Sequence, residues 1–244
     1  MKIVLILQAR MSSTRLPGKV LMEVMGRPLL DYQIERIRRS NLVNKVVLAT
    51  STNVADEKII NFAHQRDINI YAGSEFDVLD RYYSAAMKEG ADIVVRCNGD
   101  CPLIDPCTID LVVDSFLQSK SDFDYVSNIL VPSFPVGLHT EVFSMDALRI
   151  AHCNAIDPLE REHVTPYIYH HPERFKLKNV SHSQDLSFHR WTLDYMEDYD
   201  LIKLVIENLY KKNKNFDMFD IVSFINENPD LKKINYHIEK KSTV

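Results

Sequence analysis

The sequence predicts an α/β fold, a mainly parallel sheet with helices on both faces, and three observations carry that prediction. Apolar, β-branched runs recur at 2–8 (KIVLILQ), 44–50 (NKVVLAT) and 92–97 (DIVVRC), continuous rather than alternating, as strands buried on both faces require. The segments between them carry apolar residues at three- and four-residue spacing, the mark of amphipathic helices. A chain of 244 residues with 45% hydrophobic content can also bury a full core.

The elements follow in order. The first run stops at Gln8, too short for a signal-peptide core or a membrane span, so a cytoplasmic protein with no membrane contact is expected. Residues 28–39 (PLLDYQIERIRR) form a helix with Pro28 in its first turn, and 55–66 (ADEKIINFAHQR) form the next. Asp77 and Asp80 belong to a helix start, where acidic residues oppose the dipole. Asp105-Pro106 is the cap and first position of a helix running to about Gln118. Beyond it, 122–143 suggests strands interrupted by the turn-prone PSFPVGL, then a helix from about Ser144 and another across 158–170. A strand around 188–193 (FHRWTL) ends at Asp194 and leads into a helix near 196–211. No repeat or linker interrupts the chain, which predicts one domain over 1–244 with 122–175 as a protruding subdomain. The tail, including KKNKN and IEKK, is charged and solvated.

Composition narrows the function. A net charge of -5 and a pI near 6.0 argue against a nucleic-acid binder. Cys97, Cys101, Cys107 and Cys153 form no C-x-x-C pair, and three of them fall near a predicted strand end, where small apolar residues pack; zinc is not expected. His163, His170 and His171 lie along one helix without a matching second cluster, and Trp191 is expected in the core.

Ligands of doubly wound sheets sit beyond the carboxyl ends of the strands, so Gln8 to Lys19 and Asn98 to Pro102 should face one crevice. The first of these loops, QARMSSTRLPGK, gathers Arg10, Arg15 and Lys19 with the hydroxyls of Ser12, Ser13 and Thr14, which suits a polyanion such as a nucleoside triphosphate. Lys19, a mobile point charge, is expected to face solvent until a ligand binds. In the second loop Gly99 permits a tight turn that projects Asp100 into the crevice, and Asp194 offers a second strand-end carboxylate. Two such carboxylates beside a triphosphate repel unless a divalent metal, Mg²⁺, lies between them. For a second substrate the candidates are Arg96, Asn128, His139, Glu141, His163 and Arg190; Arg96 and Arg190 could pair with a substrate carboxylate or neutralise a neighbouring Asp.

QARMSSTRLPGKVL, NGDCPLID, EREHVTPY and the Asp194 segment together resemble the cytidylyltransferase family of CMP-Kdo and CMP-sialic acid synthetases, most closely its SpsF-like spore-coat polysaccharide branch. The resemblance spans residues 1 to about 205. It implies a Rossmann-like nucleotide-diphospho-sugar transferase fold and transfer of CMP from CTP to a sugar acid of the 3-deoxy-2-ulosonic type, releasing pyrophosphate, for a surface polysaccharide. By that likeness Arg10, Ser12, Ser13, Arg15, Lys19 and Asn98 bind the nucleotide, Gln8, Ala9, Gly73 and Ser74 lie near the cytosine, and Asp100 and Asp194 hold Mg²⁺. Lys19, Arg15 and Asp100 would be catalytic, and the protruding segment would form a homodimer. The chain departs from the family at Ser12, often Gly or Ala; at Cys101, acidic in the Kdo enzymes; and at YMEDYDL, where TPEDL is usual. Rival readings are another nucleotide, a sugar phosphate or phosphonate acceptor, a non-catalytic nucleotide binder, or a GT-A-like glycosyltransferase, whose D-x-D motif NGDCP does not supply.

Overall fold

The computed structural model describes residues 1–119 and 122–238; the charged residues of the tail from 239 onward lie outside the described residues. The chain forms β1 (Ile3–Gln8), the hairpin β2 (Glu23–Val24) and β3 (Arg27–Pro28), α1 (Leu29–Ile37), β4 (Lys45–Ser51), α2 (Glu57–Gln65), β5 (Asn69–Gly73) and α3 (Val78–Glu89). There follow β6 (Ile93–Asn98), α4 (Pro106–Gln118), β7 (Tyr125–Ser127), β8 (Glu141–Ser144), α5 (Met145–Asn154), α6 (Pro158–His163), α7 (Pro166–Tyr169), β9 (Leu177–Asn179), α8 (Met196–Leu209) and α9 (Met218–Glu227).

Seven strands make one sheet in the order β5-β4-β1-β6-β8-β7-β9. β5, β4, β1 and β6 run parallel, and β8 alone is antiparallel to its neighbours β6 and β7. The continuous apolar runs have the predicted cause: in β1, Ile3, Leu5 and Leu7 pack on one face and Val4 and Ile6 on the other, all buried. One face is covered by α1, α2 and α4 through Ile34, Phe62 and Val112, the other by α3 and α5 through Tyr82 and Leu148. After β1 the chain moves outward through β4 to β5, then returns to place β6 on β1's other side. This reversal opens a crevice between the carboxyl ends of β1 and β6, where Gln8 pairs with Asn98.

Caps set several helix starts as their residue types predict: Asp77, Asp105 and Ser144 accept from the backbone N–H groups of Asp80, Thr108 and Ala147. Other expectations are corrected. Pro28 is not in the first turn of α1 but precedes it, paired with Glu23 in the hairpin. The helix across 158–170 is two short helices, because Pro166 cannot donate to the preceding turn and Val164 takes φ 74°. Residues 188–193 are not a strand; a single bridge joins Val136 and Arg190, and it does not extend along the segment. The Trp191 N–H reaches the Val136 carbonyl and the Leu193 N–H the Asp100 carbonyl. Trp191 is buried as expected, in a third cluster with α8 and α9. Cys97 and Cys101 are buried, whereas Cys107 and Cys153 are exposed. The KKNKN stretch is exposed.

Candidate active site

Two close approaches build the crevice. Gly99 donates its N–H to the Gln8 carbonyl at 2.7 Å, and a Cβ there would lie 2.6 Å from that oxygen, so only glycine lets the ends of β1 and β6 meet this closely. Gly137, at φ 110°, lets the 189–193 segment cross; a Cβ would lie 2.7 Å from the Trp191 carbonyl carbon. That segment then runs beside Asp100 and delivers Asp194 next to it.

The basic loop is pinned at its base. The buried Asp56 carboxylate accepts from Met11 N–H at 2.6 Å and from the Ser51 N–H and hydroxyl, and the Gly18 N–H closes the loop on the Met11 carbonyl. Ser12 donates to Glu75 at 2.6 Å; this bond and one from Asn53 hold the Glu75 carboxyl below its ordinary pKa.

At the crevice floor Lys19 Nζ lies 3.0 Å from Asp100 Oδ2 and 2.8 Å from Asp194 Oδ1. Arg15 meets the same Asp194 oxygen at 2.7 Å, and Arg190 holds the other at 3.0 Å. Lys19 is therefore not solvent-facing: it is 7% exposed, because an ammonium between two carboxylates is more stable there than either acid would be alone. Burial acts to lower its pKa, but Asp100 and then Asp194 more than reverse that and raise it. Burial acts to raise Asp194, and Lys19, Arg15 and Arg190 bring it below its ordinary value. Asp198, which sequence reasoning did not single out, fixes the group from beneath. It is fully buried and accepts from Arg190, from Asn235 and from the N–H groups of Asp194 and Tyr195. Its spacing of four from Asp194 at a helix start was the available signal.

The crevice has a volume of about 260 Å³ and is lined by Gln8, Ala9, Arg10, Ser13, Arg15, Lys19, Arg96, Asn98, Asp100 and His163 among the predicted residues. The carboxamide oxygens Gln8 Oε1 and Asn98 Oδ1 have no hydrogen-bond partner among the described residues. Ser12, Gly73, Ser74, Asn128, Glu141, Arg190 and Asp194 are not among its lining residues. Asn128 is buried and bonded to Leu138 and Thr140. Glu141 is held by Arg96, by the Tyr125 hydroxyl at 2.8 Å and by the Thr165 hydroxyl at 2.5 Å. Burial lowers the pKa of His139, near Glu141.

Arg81, which sequence reasoning missed, also lines the crevice. It is 1% exposed, donates from Nη1 to the Ser74 carbonyl and leaves Nε without a hydrogen-bond partner among the described residues. Among the described residues it forms no salt bridge, and burial lowers its pKa although the charges of Asp56 and Glu75 act to raise it. Its signal was a cation on the apolar face of α3, in register with Val78, Tyr82 and Ala85.

The donor set suits a hard divalent cation. Asp100 and Asp194 already converge on one cation, the Lys19 ammonium, and two carboxylates suffice where phosphate oxygens and water complete the shell.

The sequence matches the Cytidylyltransferase family over residues 4–227. The chain belongs to that family. A cytidylyltransferase of Leptospira borgpetersenii superposes with a TM-score of 0.91 at 33% identity, covering 99% of both chains. The spore coat polysaccharide biosynthesis protein SpsF of Bacillus subtilis is 31% identical over 93% of this chain and 95% of its own. A 3-deoxy-manno-octulosonate cytidylyltransferase of Geobacter metallireducens is 36% identical over 50% of this chain and 47% of its own. This cytidylyltransferase is accordingly a nucleotidyltransferase with the expected mostly parallel, Rossmann-like fold. No helix among its described residues is long and apolar enough to cross a membrane.

Proposed function

We propose that the protein transfers CMP from CTP to a sugar acid of the 3-deoxy-2-ulosonic type, with Mg²⁺ and release of pyrophosphate, to supply a surface polysaccharide. One observation carries this reading: the cationic loop after β1 and the aspartates at 100 and 194 converge on a single point through Lys19. Arg10, Ser13, Arg15 and Lys19 would hold the triphosphate, with Gln8, Ala9 and Arg81 toward the nucleoside. Arg15 and Lys19 stabilise charge that accumulates on the leaving pyrophosphate, and the buried setting strengthens each contact. Asp100 and Asp194 would hold Mg²⁺, which when bound neutralises phosphate charge and lowers the pKa of the attacking hydroxyl. Positioning and charge stabilisation then supply most of the acceleration, with no protein nucleophile.

Of the acceptor candidates, Arg96 and His163 face the crevice, so an acid group on the sugar would meet Arg96, whose own charge Glu141 balances. Sequence similarity to SpsF and to 3-deoxy-manno-octulosonate cytidylyltransferases supports the acceptor class. A homodimer through the 122–175 segment fits the exposed apolar side chains of Val131, Ile156 and Leu159 in that segment, and use of CTP fits the cytoplasm.

Pyrophosphate release measured with each of the four nucleoside triphosphates across sugar acids, sugar phosphates and phosphonates tests the reading. Release with CTP and a sugar acid is expected. Release only with another triphosphate, or only with a phosphorylated acceptor, would overturn it.

A further inference from the structure

The gap between the two aspartates is filled by the protein itself. Lys19 Nζ contacts Asp100 Oδ2 and Asp194 Oδ1, Arg15 shares the second oxygen, and Arg190 holds Asp194 Oδ2. An ammonium and a divalent ion cannot share that gap, because Lys19 Nζ, at 3.0 Å from one inner carboxylate oxygen and 2.8 Å from the other, already occupies the point on which both converge. Their exclusion is mutual. Lys19 can leave, since its charge rides on a flexible four-carbon stem set on a single helical turn, Lys19–Leu21, that begins after Gly18 at φ 73°. Phosphate groups in the crevice offer the alternative anionic partner such a departure needs, and Lys19 and Arg15 already line that crevice.

We propose that Lys19 is an internal counter-ion that keeps a divalent cation off the Asp100–Asp194 pair until a nucleotide's phosphates draw the ammonium away. Metal and nucleotide then load together, and each strengthens the other's binding by the same factor. The role is distinct from charge stabilisation during transfer, because it acts before any reaction. It rests on the reading that these aspartates hold Mg²⁺, and the experiment separates the two.

Mn²⁺ serves as the probe, with the free ion followed by electron paramagnetic resonance. Without nucleotide, the wild-type protein should bind Mn²⁺ at least about ten-fold more weakly than Lys19→Met. The added site should vanish in Lys19→Met/Asp100→Asn, and wild-type protein with CTP should gain an Asp100-dependent site. If wild-type protein alone binds Mn²⁺ as tightly as Lys19→Met, or the variant binds no better while the CTP-dependent site exists, the counter-ion role is wrong and the metal reading stands. If no arm yields an Asp100-dependent site, the metal reading fails and takes the proposal with it. Should Lys19→Met not fold, the lysine Nζ resonances of the wild-type protein decide. The Lys19 signal, assigned by its loss in Lys19→Arg, should be unmoved by Mg²⁺ alone and shifted by CTP; a shift with Mg²⁺ alone refutes the proposal.

Discussion

Replacing Lys19 with Met should destabilise the fold as well as abolish turnover. Met keeps the buried stem and removes only the charge that Asp100 and Asp194 share at 3.0 and 2.8 Å. Removing one partner of a buried ion pair costs about 3–5 kcal/mol when the other is left alone. Here the loss is smaller: Asp194 keeps Arg15 and Arg190, and the Asp100 side chain is 26% exposed, so water carries part of its charge. That leaves about 2–3 kcal/mol, which in a chain of this size lowers Tm by roughly 4–12 °C. Thermal unfolding followed by circular dichroism measures it, with urea unfolding as a check. Lys19→Met/Asp194→Asn should lose less than the sum of the two single variants, because the second change removes a carboxylate that the first stranded. A Tm within about 1 °C of wild type for Lys19→Met would refute the reasoning and restore the picture of a free, solvent-facing lysine.

Gly99→Ala should lower Tm by several degrees and weaken CTP binding by calorimetry, since the new Cβ meets the Gln8 carbonyl oxygen at 2.6 Å and forces the two strand ends apart. Arg81→Met should raise the KM for CTP about ten-fold or more while leaving Tm unchanged or higher, because a buried cation with no salt bridge among the described residues costs the fold energy; a large fall in Tm would show that Arg81 is structural. The stability difference between wild type and Asp194→Asn should be flat near neutrality. Asp194's pKa is depressed from 3.8, so its contribution is present above that value and lost as pH falls through the lower folded pKa. Lys19, raised from 10.5, contributes fully below that value and is lost as pH rises through the higher folded pKa. Two of the four thiols, Cys107 and Cys153, should react with a thiol reagent in the native protein and all four after unfolding; burial raises Cys97 to about 12, and Cys101 also lies well above its ordinary value.

The parallel core was legible because β1, β4 and β6 are buried on both faces and so read as continuous apolar runs. β5 and β9 were not legible: their residues are mostly half-exposed, and β9 is three residues of mixed polarity. The basic loop stood out because it gathers three cations directly after a strand buried on both faces. The fate of Lys19 was hidden, since the partner that buries it, Asp194, arrives along a segment whose path depends on the contact between Gly137 and Trp191. Polar residue type likewise cannot tell an inward-facing structural group from a ligand: Asn128 and Glu141 spend their polar atoms on Leu138, Thr140, Arg96, Tyr125 and Thr165, whereas Arg96 and His163 face the crevice. Arg81 was masked by the acidic start of α3, which made its neighbourhood resemble an ordinary solvated helix end.

A crystal structure with CTP and Mg²⁺ bound tests the central claim most directly. The phosphates should lie among Arg10, Arg15 and Lys19, with the Lys19 ammonium moved off Asp194 and the metal against Asp100. CTP seated away from this loop, or Lys19 still bridging both aspartates beside a bound triphosphate, would contradict it.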